Sequence, residues 1–202
     1  MNNQKKVLYQ LDHLLLGWLT RLLYPKYYRP KFGYMPHLLL HFRYTFFQKI
    51  LRINGRVPWP VHFTSQVLHY KNIDKGILVD PADTMGCYIN AKNGIIFGSN
   101  IEIGPGTKII SANHDYSDYR VAVDEQPIII ESNVWIGANA VILPGVKIGH
   151  NTIIGAGSVV TRNIPPNSIA VGNPCVTIKE KPIYKVDVST IKLNRKHRLI
   201  SK

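Results

Sequence analysis

The stretch IESNVWIGANAVILPGVKIGHNTIIGAGSVV, residues 130–160, places an aliphatic residue at every sixth position: Ile130, Ile136, Ile142, Ile148, Ile154 and Val160. Three places after each stand Asn133, Asn139, Gly145, Asn151, Gly157 and Asn163. Asn and Gly tolerate the left-handed backbone of a tight corner. One place further on come Val134, Ala140, Val146, Thr152, Ser158 and Ile164, small or β-branched for the most part and suited to short strands. The same period runs backwards through the chain as Val61, Val67, Ile73, Val79, Met85, Ala91, Phe97, Ile103 and Ile109. Its corner places hold Gly76, Gly94, Asn100 and Gly106, but also Ala82, Tyr88 and Ala112, so looser corners are expected there. A hexad with one inward side chain is too small to fold alone and must stack, and three hexads close a triangular coil. The expected fold is mainly β, a parallel β-helix.

Between the two runs the period breaks. Ile130 follows Ile109 by three and a half hexads, which reads as one full coil plus half a hexad, with an inserted loop over 112–127 whose polar part is Asp115 to Gln126. Loops inserted into a rigid scaffold are where function collects. His114 opens this one.

Outside the repeat the chain changes character. The 202 residues carry 25 Lys and Arg against 12 Asp and Glu, a net charge of +13. Residues 1–60 hold ten of the basic residues and a single acid, Asp12; residues 61–178 hold seven basic and nine acidic; residues 179–202 hold eight basic and two acidic. The reading is a basic, aromatic-rich helical segment (1–60), a near-neutral β-helix domain (61–178) and a basic C-terminal tail (179–202). The first segment contains 12 of the 20 aromatic residues and places Leu8, Leu11, Leu15, Trp18 and Leu22 on one helical face, beside Lys5, Lys6 and Arg21. A second helix is expected from His37 to Ile53. Two readings of the segment stand open: it caps the open end of the coil and buries its apolar face there, or it lies on an anionic membrane surface. Nucleic acid is not an expected partner, because no recognisable binding module accompanies the charge. Asp12 and His13 interrupt the first apolar stretch, so neither a secretory leader nor a spanning helix is expected. Cys87 and Cys175 lack the spacing of a redox or zinc site and fit a reducing cytoplasm.

Several stretches resemble the hexapeptide-repeat acyltransferases: Tyr88-Ile-Asn-Ala-Lys-Asn93, Ser111-Ala-Asn-His-Asp115, Asn133-Val-Trp-Ile-Gly137, the run from Gly155 to Pro166, and Gly172-Asn-Pro-Cys175. The branch resembled is that of maltose and galactoside O-acetyltransferases and of bacterial surface-polysaccharide O-acetyltransferases. The resemblance implies a left-handed coil, acetyl-CoA as co-substrate and a sugar hydroxyl as acceptor. A hydroxyl attacks a thioester well only when a base takes its proton, and an imidazole, with an ordinary pKa near 6.5, suits both that step and the return of the proton to the thiol. His114 matches this base. Asp115 is a candidate to orient it, Asn90 and Trp135 match acceptor-site residues, and Ala138 and Ala156 match the pantetheine groove. Thr161 and Arg162 match the nucleotide end, and Lys179 stands in for an arginine where this chain has Val176. The resemblance also implies a homotrimer with sites between subunits, no metal, and a sugar or lipid-linked glycan acceptor in capsule, exopolysaccharide or lipopolysaccharide synthesis, in the cytoplasm or at the inner membrane face. Two other readings remain open, an antibiotic hydroxyl or amino-sugar acceptor, and a non-catalytic membrane-associated scaffold.

Overall fold

The computed structural model describes residues 3–28 and 35–185; most of the expected basic tail, with His197, lies outside them. The repeat forms a three-sided parallel coil. The first face stacks strands Gln66–Leu68, Tyr88–Asn90, Lys108–Ile110, Val141–Ile142 and Val159–Val160. The second stacks Ile73–Lys75, Ile95–Phe97, Ile128–Ile130 and Lys147–Ile148. The third stacks Ile101–Ile103, Val134–Ile136, Ile153–Ile154 and Ser168–Val171, and ends on Val176–Glu180, which pairs antiparallel to its neighbour. That last strand crosses the boundary expected at 178, so Lys179 sits in the sheet.

Each face feeds one column of aliphatic side chains to the interior. Ile136 stacks on Ile154, Ile142 on Val160 and Ile130 on Ile148, each pair separated by three hexads and each side chain fully buried. The corners are as tight as the Asn and Gly pattern requires. Asn133, Asn139, Gly145, Asn151 and Gly157 all have φ between 55° and 70°. At the corner between the second and third faces the asparagines also bond to one another, Asn100 Nδ2 to Asn133 Oδ1 at 2.8 Å and Asn151 Nδ2 to Asn167 Oδ1 at 2.7 Å. Asn163 serves differently: its Oδ1 accepts the Lys147 N–H at 2.8 Å.

Two details of the sequence register are corrected. Met85 is exposed, and the inward residue of its coil is Ile89, which pairs with Val67 below and Ile109 above. The coil from Val67 to Ile89 is longer than three hexads, so the count in sixes slips at the turn around residue 84. Ile109 and Ile130 lie on adjacent faces rather than one above the other. The true repeat partners, Ile103 and Ile136, stand five and a half hexads apart. The coil carrying His114 is therefore two and a half hexads longer than a regular one, which accounts for nearly all of the expected 112–127 loop.

The N-terminal segment forms two helices, α1 (Asn3–Leu23) and α2 (His37–Leu40), the latter continuing as π-helical turns through His41–Ile50. It stops short of the expected Ile53 because Arg52 and Asn54 take positive φ. Buried Gln48 ties this end to the first coil: its Nε2 donates to the carbonyls of Val57 (3.2 Å) and Trp59 (2.9 Å), and its Oε1 accepts the Val61 N–H at 3.0 Å. The Tyr44 hydroxyl adds a bond to the Asp83 carbonyl at 3.0 Å. These anchors are polar. Leu8, Leu11, Leu15, Trp18 and Leu22 are all exposed, so burial of that face against the coil, one of the two readings left open, is not found.

Candidate active site

His114 is held out from the coil by a short antiparallel ribbon, Asn113–His114 with Ala122–Val123, that rises from the corner between the first and second faces. The base of the ribbon is buckled from below by Asn93. Its Nδ2 donates to the Ser111 carbonyl at 2.9 Å and to the Val123 carbonyl at 3.1 Å, clamping the two ends of the inserted loop together. Ser111 in turn donates its N–H and its hydroxyl to the Asn90 carbonyl, at 2.9 and 3.1 Å. Above the clamp, Asn113 donates from Nδ2 to Glu125 at 3.0 Å and accepts the His114 N–H on Oδ1 at 2.9 Å. The backbone of His114 is thereby fixed while its side chain is exposed.

Asp115 takes a different place from the one expected. Its carboxylate accepts the Ser117 hydroxyl, the Ser117 N–H at 2.7 Å and the Asp118 N–H at 3.2 Å, closing the turn of the ribbon rather than bonding the His114 ring. The Ser117 hydroxyl, followed by those two amides, holds this carboxyl below the ordinary carboxylate range. Successive residues of a strand point to opposite faces, which is why adjacency to His114 does not bring the two side chains together.

The remaining residues divide among three places. Asn90 stands on the first face next to the base of the ribbon, paired with Ile110. Thr161 and Arg162 are exposed where the chain leaves the first face on a later coil. Ala138 and Ala156 follow the third face on consecutive coils, at a corner of unusually close approach: a Cβ on Gly137 would lie 2.5 Å from the Ala156 nitrogen. Ala138 and Ala156 present only methyl groups there, which leaves their backbone open to close approach. Trp135 lies on the outer side of the third face between Glu102 and Ile153, 56% exposed, and lines a cavity of about 240 Å³ with Lys181 and Tyr184. Lys179 is exposed on the edge strand of that face. One chain thus brings Asn90 and His114 together, and Ala138 and Ala156 together, but sets the two pairs at different corners. Among the described residues no group of three His, Cys, Asp or Glu side chains is placed to hold a metal ion.

Residues 127–162 match the family model described as bacterial transferase hexapeptide (six repeats). The chain is a hexapeptide-repeat protein. Its coil is the left-handed one of that family. Over 90 residues it is 44% identical to a galactoside O-acetyltransferase of Lactococcus lactis, covering 43% of each chain. Over 96 residues it is 43% identical to a putative acetyltransferase of Schizosaccharomyces pombe, covering 46% of this chain and 44% of the other. The chain thus spans under half the length of these curated relatives. The crystal structure of a maltose O-acetyltransferase from Clostridium difficile superposes with a TM-score of 0.50 at 36% identity, over 59% of this chain and 66% of that one.

Three residues that brace the ribbon, Asn93, Asn113 and Glu125, have bonding roles that the sequence does not assign. Asn93 lies inside the Tyr-x-Asn-x-x-Asn stretch and is visible as a motif residue. The Asn113–Glu125 pair spans the loop, and no local pattern announces it.

Proposed function

We propose that this chain transfers an acetyl group from acetyl-CoA to a sugar hydroxyl. The observation that carries the reading is the exposed His114, mounted on a braced ribbon in the coil that exceeds three hexads by the most among the described residues. The similarity to galactoside and maltose O-acetyltransferases supports the choice of acceptor. His114 takes the proton of the acceptor hydroxyl as its oxygen attacks the thioester carbonyl carbon. The carbon–sulfur bond then breaks, and the imidazolium returns the proton to the departing thiolate, giving the acetyl ester and free CoA. Asn90 and Trp135 position the acceptor. The methyl-lined strip at Ala138 and Ala156 fits the pantetheine arm, with Thr161, Arg162 and Lys179 toward the nucleotide phosphates.

His114 and the Ala138–Ala156 strip occupy different corners of one coil, so a complete site requires the corner of a second copy, and a homotrimer with three interfacial sites meets that need. The place of the enzyme on this reading is cytoplasmic, at the inner face of the cytoplasmic membrane, where it acetylates lipid-linked units of a surface polysaccharide.

The test is transfer from acetyl-CoA to a panel of galactosides, maltose and lipid-linked glycans, followed by thiol release. His114→Ala is expected to lower the rate by about 10² to 10⁴, with CoA binding by calorimetry and the circular dichroism spectrum kept. An unchanged rate in that variant would remove His114 from the mechanism.

A further inference from the structure

The α1–α2 hairpin buries a small apolar cluster of Tyr24, Leu40 and Tyr44. Beside it the two helices bury a hydrogen-bonded polar seam. His13 Nδ1 lies 3.0 Å from His37 Nε2, and Thr20 Oγ1 lies 2.8 Å from His37 Nδ1 and 3.0 Å from His41 Nε2. His41 Nδ1 lies 2.8 Å from Thr45 Oγ1, which also meets the Tyr24 hydroxyl at 3.2 Å. Asp12 completes the seam by accepting the N–H groups of His37 and Leu38, at 2.6 and 2.8 Å, at the start of α2.

The long apolar stripes of both helices point the other way. On α1, Leu8, Leu11, Leu15, Trp18 and Leu22 recur at alternating spacings of three and four, with Leu14 among them, and all are exposed. At 100° per residue they occupy about a third of the helix circumference. On the second helix, Leu38, Phe42, Phe46 and Ile50 recur at every fourth place and are likewise exposed. An apolar stripe of this size on a helix whose opposite side is already satisfied marks a surface that meets something other than water.

Charge decides between the candidate occupants. Residues 1–60 carry ten basic residues and one acid, and the carboxylate of that acid, Asp12, is engaged in capping α2. Lys5, Lys6, Arg21 and Arg43 are exposed around the stripe. A second copy of so basic a surface is repelled, whereas an anionic lipid surface is attracted. Among the described residues no helix is long and apolar enough to cross a membrane, so contact is in the plane.

We infer that the α1–α2 hairpin is a lipid-docking foot, lying in the headgroup boundary of an anionic bilayer with the Leu8–Leu22 stripe and Phe42 and Phe46 turned into the acyl region. The inference rests on the membrane location proposed above and gives it a surface, but it is independent of the acetyl-transfer chemistry. It is tested on the full chain with vesicles of phosphatidylcholine, with and without phosphatidylglycerol. The wild type is expected to co-sediment with the anionic vesicles and to be released by salt. The Leu15→Glu/Trp18→Glu variant is expected to lose binding at least about tenfold, and Leu15→Met/Trp18→Phe to retain it. A reading that does not depend on the folding of the charged variant comes from brominated lipid, which should quench tryptophan fluorescence in the wild type and lose that quenching in Trp18→Phe. Equal, negligible binding by wild type and charged variant overturns the inference. So does a smaller lipid-free assembly in the charged variant by light scattering, because the face would then be covered by a second copy. Acetyl transfer to a soluble acceptor, measured alongside, separates a failure of docking from a failure of the catalytic reading.

Discussion

His114 owes its place to side chains that do no chemistry of their own. Asn93 closes the base of the ribbon across Ser111 and Val123, and Asn113 ties its first strand to Glu125, so the imidazole projects from a braced position rather than a free loop. Asp115 belongs to this bracing. Asp115→Asn weakens the turn at Ser117 and Asp118 and is expected to lower turnover several-fold while leaving the midpoint of the pH–rate profile where it is in the wild type. A displaced midpoint would mean that the carboxylate acts on the imidazole after all, and kinetics across the pH range on both proteins would read it. The histidine itself is legible in the sequence because the register break, the motif and the chemistry of a thioester acceptor coincide at one residue. The role of Asp115 is not, since a neighbour along a strand points to the other side. Met85 makes the same point in the core: it occupies the sixth place in the count but lies outside, because the extra length of its coil hands the inward position to Ile89.

At the scale of elements, legibility follows regularity. From Ile130 to Val160 each coil is three hexads long and every sixth side chain is inside, so counting alone recovers face, corner and core. Where coils outgrow three hexads, as from Val67 to Ile89 and from Ile103 to Ile136, composition still marks strands but no longer says which stack on which. The helices show a different limit: the three-and-four spacing of α1 is plain in the sequence, but spacing says only that one face is apolar, not that it turns inward. What turns inward is the histidine seam beside the cluster of Tyr24, Leu40 and Tyr44, and the protonation of the seam is a property of the hairpin. Burial holds His37 and His41 below the ordinary imidazole value. At His37 the charges of His13, His41 and Arg21 push the same way while Asp12 opposes them, and at His41 the Leu16 carbonyl and Asp12 oppose. A histidine depressed in the folded state is more readily protonated when unfolded, so the seam contributes fully above about pH 6.5, and its contribution is lost as the pH falls through the folded-state values. The helical signal is therefore expected to melt at a lower temperature at about pH 5.5 than at about pH 7.5, with the difference reduced in His37→Asn/His41→Asn. Equal melts at the two pH values, or a higher one in acid, would contradict the neutral seam.

For the molecule as a whole, the net charge of +13 resolves into a near-neutral coil that carries the candidate site, a basic N-terminal segment whose helical apolar face looks outward, and a basic C-terminal tail. The coil also divides the site itself. Asn90 and His114 stand where the chain leaves the first face, Ala138 and Ala156 where it leaves the third, and a rigid stack of buried isoleucines keeps those corners apart. On the proposed trimer, a neighbouring copy supplies the third-face corner that His114 lacks within its own chain. Complementation between inactive subunits separates the two cases. His114→Ala removes the base and leaves the strip, while Ala156→Trp fills the strip and leaves the base, and Ala156 is exposed enough to accept the larger ring without disturbing the core. Each variant alone is expected to be inactive. If the proposed trimer forms, unfolding them together in equal amounts and refolding gives mixed trimers in which about a quarter of the interfaces pair an intact base with an intact strip, so about a quarter of wild-type activity is expected to return. If base and strip served within one chain, every subunit would carry one lesion and the mixture would stay as inactive as its parts.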